Sequence, residues 1–450
     1  MPKPNVIVFF TDQQRWDTTG VHGNPLDLTP NFDRVAHQST HLYNTVTCQP
    51  VCGPARAVLQ TGLYATNTGA WRNGIPIRES SWTLAHSFRQ AGYHTGYIGK
   101  WHLGHPDSHG PVEEKYRGGY QYWLASNALE FTSDAYDVTM YDNENQPVRL
   151  PGYRVDALTD AAIRYIDAHQ AEPFYLFISY IEPHFQNRRD DYPAPDGYEE
   201  RYQARWMPPD LAALGGSAHQ HLPGYYGMVK RLDEAFGRVL DALKSLRLDK
   251  NTIVLFTSDH GNHFKTRNGE YKRSCHESSV RIPTVLTGPG FFSGGQIRNL
   301  VSLVDLPPTL LDAAGLPVPE QMQGRSIMPL LRRQPVNWRD EVFIQISESQ
   351  VGRALRTRRW KYSVIAHDKD GGTDPNSDHY IEDCLYDLVS DPYELCNLAG
   401  FHSHRHVAER LRARLIHRMV EAGEAAPIIE LAPDRPASWQ RHISDEELEE

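Results

Sequence analysis

Short runs of β-branched and aromatic residues that end abruptly on polar side chains recur along this chain. The later ones each follow a stretch with helical periodicity. The first run is Asn5 to Phe10, closed by Thr11-Asp12-Gln13. HTGYIGK (His94 to Lys100) follows an amphipathic stretch from Leu84 to Ala91, with Gly92 placed to end a helix. FYLFISYIEPH (Phe174 to His184) follows a helical stretch from Val155 to His169, and TIVLFTSDHG (Thr252 to Gly261) follows the long pattern Tyr225 to Leu246. PTVLTGPG (Pro283 to Gly290) and a helical Asp305 to Ala314 continue the alternation. Apolar runs this short and continuous suit strands covered on both faces, and the intervening helices supply the cover. The pattern therefore predicts an α/β fold around a large, mostly parallel or mixed central sheet. In such sheets ligands bind at the carboxyl ends of the strands, where the polar residues fall here.

The texture changes near residue 335. EVFIQIS, RALRTRRWKYSVI and CLYDLVSD are closely spaced strand-like runs, followed by a helical segment from His404 to Ala422. Strands first and a helix after predict a smaller C-terminal antiparallel sheet with a helix. The expected division is a catalytic unit over 1–335 and a subdomain with a tail over 336–450. Pro427, Pro433 and Pro436 interrupt the chain past Ala422, which is expected to wrap the surface before the acidic end. With no internal repeat and no low-complexity linker, the two parts are expected to pack as one body.

Composition excludes some partners. The 46 Lys+Arg against 56 Asp+Glu leave a net charge of −10, without the basic stripe that nucleic acid requires. The longest apolar runs, Val6 to Phe10 and Phe174 to Ile181, fall far short of the roughly 18 residues that span a bilayer, so no membrane partner is expected. The run after Met1 stops at Phe10 and does not read as a secretory signal. Five cysteines, Cys48, Cys52, Cys275, Cys384 and Cys396, are an odd and sparse set, unlike a disulfide framework. The expectation is a cytoplasmic protein with reduced thiols; a homo-oligomer is compatible with the sequence.

The most specific string is CGPAR (Cys52 to Arg56), extended as CGPARAVLQTGLY to Tyr64. It resembles the signature of type I sulfatases, in the alkaline phosphatase superfamily. Cys48 also precedes a proline by two, but Cys52 stands where the arginine is needed. The resemblance implies an alkaline-phosphatase-like fold. It also implies that a formylglycine-generating enzyme oxidises Cys52 to formylglycine, whose hydrate attacks sulfur with one hydroxyl while the other later expels sulfate. Asp12-Gln13 and Asp259-His260 match the two strand-end pairs that hold one divalent cation in that family. Carboxylate and amide oxygens suit calcium first, with magnesium as an alternative, and the imidazole makes manganese acceptable.

Further roles follow from the same resemblance. Lys100 in GKWHLG and Lys272 in GEYKRSCHESS would bind sulfate oxygens, and Arg56 would steady the formylglycine. His102 would deprotonate the hemiacetal hydroxyl, and His184 in YIEPHF with Lys272 would serve the leaving oxygen. Other landmarks in family order include VRIPTVLTGPG, SLVDLPPTLLDAAGLPVP and LYDLVSDPYELCNLA. Ala55 replaces the commoner Ser, and Gln13 and His260 replace the commoner Asp and Asn, as in phosphonate monoester hydrolases. The reading is therefore a sulfuric ester hydrolase for a small sulfate ester such as a sulfated carbohydrate. A phosphonate monoester or phosphodiester hydrolase is the alternative. A non-catalytic relative should have lost Cys52, Arg56 or the metal set, and all are present. Loops at Trp71-Arg72-Asn73, Gln186 to Arg189 and about His367 to His379 are candidates for the pocket mouth. In them Arg72, Arg188 and Arg189 could pair a carboxylate or second sulfate, and Trp71 could stack on a sugar.

Overall fold

A computed structural model describes residues 3–435 and 444–449. Its large sheet has eleven strands: β1 (Asn5–Thr11), β2 (Thr40–Val46), β3 (His94–Lys100), β4 (Tyr122–Ser126), β5 (Val138–Tyr141), β6 (Pro147–Leu150), β7 (Phe174–Ser179), β8 (Thr252–Ser258), β9 (Arg281–Ile282), β10 (Val285–Thr287) and β11 (Gly295–Ser302). They lie in the order β11-β2-β10-β8-β1-β7-β3-β4-β5-β6, with β9 paired to β2. The centre, β8-β1-β7-β3-β4, is parallel, and β10 and the β5–β6 hairpin run antiparallel to their neighbours. The sheet is thus mixed, with a parallel heart.

The principal helices are α1 (Pro30–Gln38), α2 (Cys52–Thr61), α3 (Leu84–Gln90), α4 (Arg154–Ala168), α5 (Ala218–Ser245), α6 (Leu306–Ala313) and α7 (Arg405–Glu421). Successive side chains of a strand point to opposite faces, and β1 shows the result. Val6, Val8 and Phe10 join one core with Val58 of α2, Phe88 of α3 and Leu310 of α6. Ile7 and Phe9 join the other, with Phe32 of α1, Leu158 of α4 and Phe236 of α5. A continuous apolar run is what a strand buried on both faces requires. Helix α5 begins at Ala218, seven residues before the apolar pattern predicts, and takes Pro223 into its second turn.

The second sheet comprises β12 (Glu341–Ile346), β13 (Val351–Thr357), β14 (Trp360–Ala366), β15 (His379–Asp387) and β16 (Ile428–Glu430). Four strands are antiparallel, and β16 adds in parallel to β15. Part of the stretch expected to wrap the surface is therefore a sheet edge; Pro436 lies outside the described residues. Phe343, Leu355 and Val407 belong to the same apolar cluster as Val6 and Val58, so one core runs through both sheets.

Candidate active site

Parallel neighbours bring distant sequence positions to one edge. Thr11 of β1 is in register with Ser258 of β8, so the residues that follow, Asp12 and Asp259, emerge side by side. The Asp259 carboxylate oxygen Oδ1 accepts from the backbone N–H of Gln13 (2.9 Å) and of His260 (2.8 Å), locking the two strand ends together. Gln13 has φ 69° and His102 φ 61°. That left-handed region costs an ordinary residue about 1–2 kcal/mol, and here it recurs at the site's edge.

Helix α2 begins at Cys52 itself, and all ten of its residues are buried. Pro54 sits in the first turn, where its missing N–H loses nothing. Val51 gives no side-chain cap, and Asn73 supplies one from outside: its Oδ1 accepts from the Gly53 N–H at 2.8 Å. Gly62, at φ 72°, closes the helix with its N–H on the Val58 carbonyl.

Around the Cys52 sulfur stand Lys272 Nζ at 3.0 Å, His260 Nε2 at 3.2 Å and Asp12 Oδ1 at 3.5 Å. Cys52 is 1% exposed. Burial alone would push its thiol up, but Lys100, Lys272 and His260 pull it well below its ordinary range. Cys48 has no such company, and burial pushes it up to about 12.

Two cations and three carboxylates interlock beneath the sulfur. Arg56 donates to Asp12 (2.9 Å), to Asp259 (3.4 Å), to the Lys100 carbonyl (2.9 Å) and to Ser179 Oγ (2.6 Å). Lys100 bridges Asp12 at 2.8 Å and Glu130 at 3.2 Å. Against burial, Asp12, Cys52 and Glu130 hold the Lys100 ammonium above its ordinary range. Burial and the charge of Asp12 push Asp259 up to about 6, whereas Lys100, His184 and Arg56 overcome burial and hold Asp12 far below the carboxylate range. Gly99 allows this approach: at φ 113°, a Cβ there would sit 1.9 Å from the Ser179 carbonyl oxygen.

Lys272 differs from the other cations in having neutral partners besides the sulfur. Its three N–H groups reach Cys52 Sγ, His184 Nε2 (3.0 Å) and Gln13 Oε1 (3.3 Å). His184 Nδ1 faces the Phe185 carbonyl at 2.7 Å, which can only accept, so Nε2 carries the lone pair that Lys272 meets. Burial and Lys272 lower the His184 pKa. His102 is held by its backbone N–H on the Asn127 carbonyl at 2.6 Å, and its buried Nδ1 has no hydrogen-bond partner.

The donor chemistry fits a divalent cation. His260 Nδ1 bonds to the Gly261 carbonyl at 2.9 Å, leaving Nε2 with its lone pair toward Asp12 and Asp259. The Gln13 amide nitrogen donates to Tyr192 Oη at 3.3 Å, which turns its oxygen inward. Ligand atoms of Asp12, Cys52, Asp259 and His260 all lie within 4.8 Å of one another.

The rim residues are placed less simply. Trp71, Arg72 and Asn73 form one partly buried loop, with the Arg72 guanidinium 5.7 Å from the Trp71 ring centroid. Asn73 is committed to Gly53, and its own N–H donates to Glu348 at 2.6 Å. Arg188 donates to the Phe131 carbonyl at 2.9 Å; Arg189 is paired with both Asp134 and Asp191. Gln186 is a buried brace, donating to the Glu130 and Ser133 carbonyls. The 367–378 loop meets the Glu348 region, where the Gly371 carbonyl accepts from the Glu348 N–H at 2.8 Å. The structure adds Glu130 and Ser179 to the residues around the site, and gives the rim candidate Asn73 a helix-capping role. Ser179 was readable, as a polar residue closing a buried strand; Glu130 carries no sequence signal.

A cysteine at a helix start faces two carboxylates at a sheet edge, and the fold that brings them together is that of the alkaline phosphatase superfamily. A model of the sulfatase family matches residues 4–316, and one of the N-sulphoglucosamine sulphohydrolase C-terminal region matches residues 269–421. The chain belongs to the sulfatase family and is an enzyme that hydrolyses sulfate esters; a metal and formylglycine are general to that family. The ulvan-active sulfatase of Formosa agariphila is 30% identical over 440 residues, covering 94% of this chain and 82% of that protein. The N-acetylglucosamine-6-O-sulfatase of Bacteroides thetaiotaomicron is 26% identical over 485 residues, covering 88% and 83%. The solved structure of BT4656 in complex with its substrate D-glucosamine-2-N,6-O-disulfate shares the fold, with a TM-score of 0.77 at 23% identity over 94% of this chain and 99% of that one.

Proposed function

We propose that the enzyme cleaves a sulfate monoester carried by a carbohydrate, with Cys52 as the formylglycine precursor. The observation that carries the assignment is the convergence on the Cys52 sulfur of Lys272, His260 and Asp12, each within 3.5 Å. The carbohydrate class is supported by similarity to sulfatases acting on ulvan and on N-acetylglucosamine-6-sulfate.

Asp12, Gln13, Asp259 and His260 would hold one cation, calcium ahead of manganese or magnesium, since oxygen donors predominate. The cation and formylglycine together supply a nucleophile and a counter-charge for sulfate. The chain's own groups do the rest. Arg56 fixes Asp12 and Asp259 in a shared orientation. Lys100 and Lys272 present ammonium groups to sulfate oxygens, where charge concentrates during transfer. Lys272 also faces the leaving oxygen and can give it a proton, oriented by His184, whose Nε2 accepts one of its N–H groups. His102, with an unpartnered ring nitrogen, is the base that takes the hemiacetal proton. A formylglycine-generating enzyme is the partner this maturation requires.

Sulfate release should be measured on sulfated mono- and disaccharides, nitrophenyl sulfate and a phosphonate monoester. A sulfated sugar should give the highest kcat/KM. His184→Ala should reduce turnover of sugar sulfates far more than of nitrophenyl sulfate, whose leaving group needs little protonation. Equal losses on both would remove His184 from its role, and preference for the phosphonate over every sulfate would overturn the reaction class.

A further inference from the structure

A second group of metal-ligating side chains lies away from Cys52, in the seam between the two sheets. Cys275 and His276 follow Lys272 closely in the chain, just before the helical turn Glu277–Val280, and Cys384 lies on β15. One ligand atom from each lies within 4.8 Å of the others. Both cysteine side chains are buried, His276 is 9% exposed, and both sulfurs are free thiols. Asp383 Oδ2 stands 3.4 Å from the Cys384 sulfur. The His276 ring is held between two hydroxyls, Ser274 Oγ on Nδ1 and Tyr386 Oη on Nε2, both at 3.1 Å. A hydroxyl rotates at little cost, so either nitrogen can be released to a metal while the other stays oriented.

We infer that Cys275, His276 and Cys384 form a binding site for a thiophilic cation, zinc by preference, that cross-links the Lys272 loop to the C-terminal sheet. Two thiols and an imidazole are a donor set for tetrahedral zinc, and thiolates do not suit the hard cation expected at Asp12 and Asp259. Binding releases one proton from each thiol, and two thiolates neutralise a divalent ion, so the buried site carries no net charge. A water fills the fourth position, which keeps the site neutral.

The surroundings are built as a joint. Glu277, next in the chain, pairs with Arg356 of β13 and with Lys361 of β14, and its N–H donates to Glu394 at 2.6 Å. On the other side, Ser349 Oγ donates to the Arg273 carbonyl at 2.7 Å. The segment from Arg273 to Glu277 is thus tied to the second sheet at both ends, and a metal at its middle would fix the reach of Lys272 into the active site.

The test uses the full-length chain, stripped of metal, reloaded with excess calcium to occupy the oxygen-rich site, and then given zinc chloride. Native mass spectrometry should show one zinc retained per chain by the parent and none by Cys275→Ser/Cys384→Ser. On the parent alone, peptide mapping in mild urea should show Cys275 and Cys384 alkylated much more slowly with zinc than after a zinc chelator is added, while Cys396 is unaffected. Cobalt in place of zinc should give a thiolate-to-metal absorption that survives Cys52→Ser. Equal zinc retention by the double variant, zinc-independent alkylation of both thiols, or a Cys275–Cys384 disulfide in the native protein would each overturn the site.

Discussion

Replacing Lys272 by methionine separates what this residue does for the reaction from what it does for the fold. With Cys52 converted to formylglycine as proposed, its sulfur is gone, and the buried Lys272 ammonium, 4% exposed, keeps two neutral acceptors, Gln13 Oε1 and His184 Nε2. Desolvating an ammonium costs several kcal/mol, and hydrogen bonds from a charged donor return about 1.5–3 kcal/mol each. The two contributions cancel to within about 2 kcal/mol, and methionine keeps the volume of the stem. At about 2.1 cal/mol/K per residue, a chain of 450 residues unfolds with an entropy near 0.9 kcal/mol/K, so the change in Tm should stay within about 2 °C. Catalysis has no such compensation. Losing a preorganised donor to developing charge costs about 3–4 kcal/mol, or roughly 10²–10³ in kcat. Calorimetry of the calcium-loaded protein and sulfate release on one sugar sulfate measure both. A Tm fall of about 10 °C would show Lys272 to be a structural post, and a rate loss below tenfold would show that it does not meet the transferring group.

Cys52→Ser should abolish turnover with the fold intact, whereas Cys48→Ser should leave kcat within about threefold; fully active enzyme with an unmodified thiol at Cys52 in a peptide mass spectrum would contradict the first half. Exhaustive chelation should inactivate the enzyme, and calcium or manganese should restore it. At a hundredfold excess over Kd the ion should also add about 2.7 kcal/mol of stability, visible as a Tm rise of roughly 3 °C. Arg189→Ala should change kcat/KM less than about threefold, because its guanidinium is spent on Asp134 and Asp191 in an exposed network worth under about 1 kcal/mol; a tenfold loss would return it to the pocket mouth.

The parallel centre was legible because β1, β7 and β8 are buried on both faces and so read as unbroken apolar runs. β2 (THLYNTV) and β11 (GQIRNLVS) escaped because their polar residues break that pattern; β11, at the sheet edge, is exposed over most of its first half. The polar strand ends identified Asp12, Gln13, Lys100, Asp259 and His260 as candidates, and the resemblance to sulfatases supplied their partners. What residue order cannot convey is which strands lie adjacent. That β8 pairs with β1 is a decision of the packed sheet, and it alone sets Asp12 beside Asp259. The same limit hides Glu130, whose contact with Lys100 is made across a loop, and the capping role of Asn73, which lies 20 residues past the Gly53 N–H it accepts from. For Arg189 the sequence shows one partner, Asp191, two residues on, and conceals the other, Asp134, which comes from 55 residues earlier.

Among the described residues, every charged group in contact with the Cys52 sulfur or its ion-pair network precedes residue 273, yet Glu348 of the second sheet region grips both the Asn73 backbone and the Arg273 side chain. The second sheet region thus braces the rim without supplying any of those charged groups. Substitutions on the far side of residue 340 can retune the opening above the nucleophile while leaving every reacting group in place. A lineage built this way can exchange one sulfate ester for another at the rim and inherit its central apparatus unaltered.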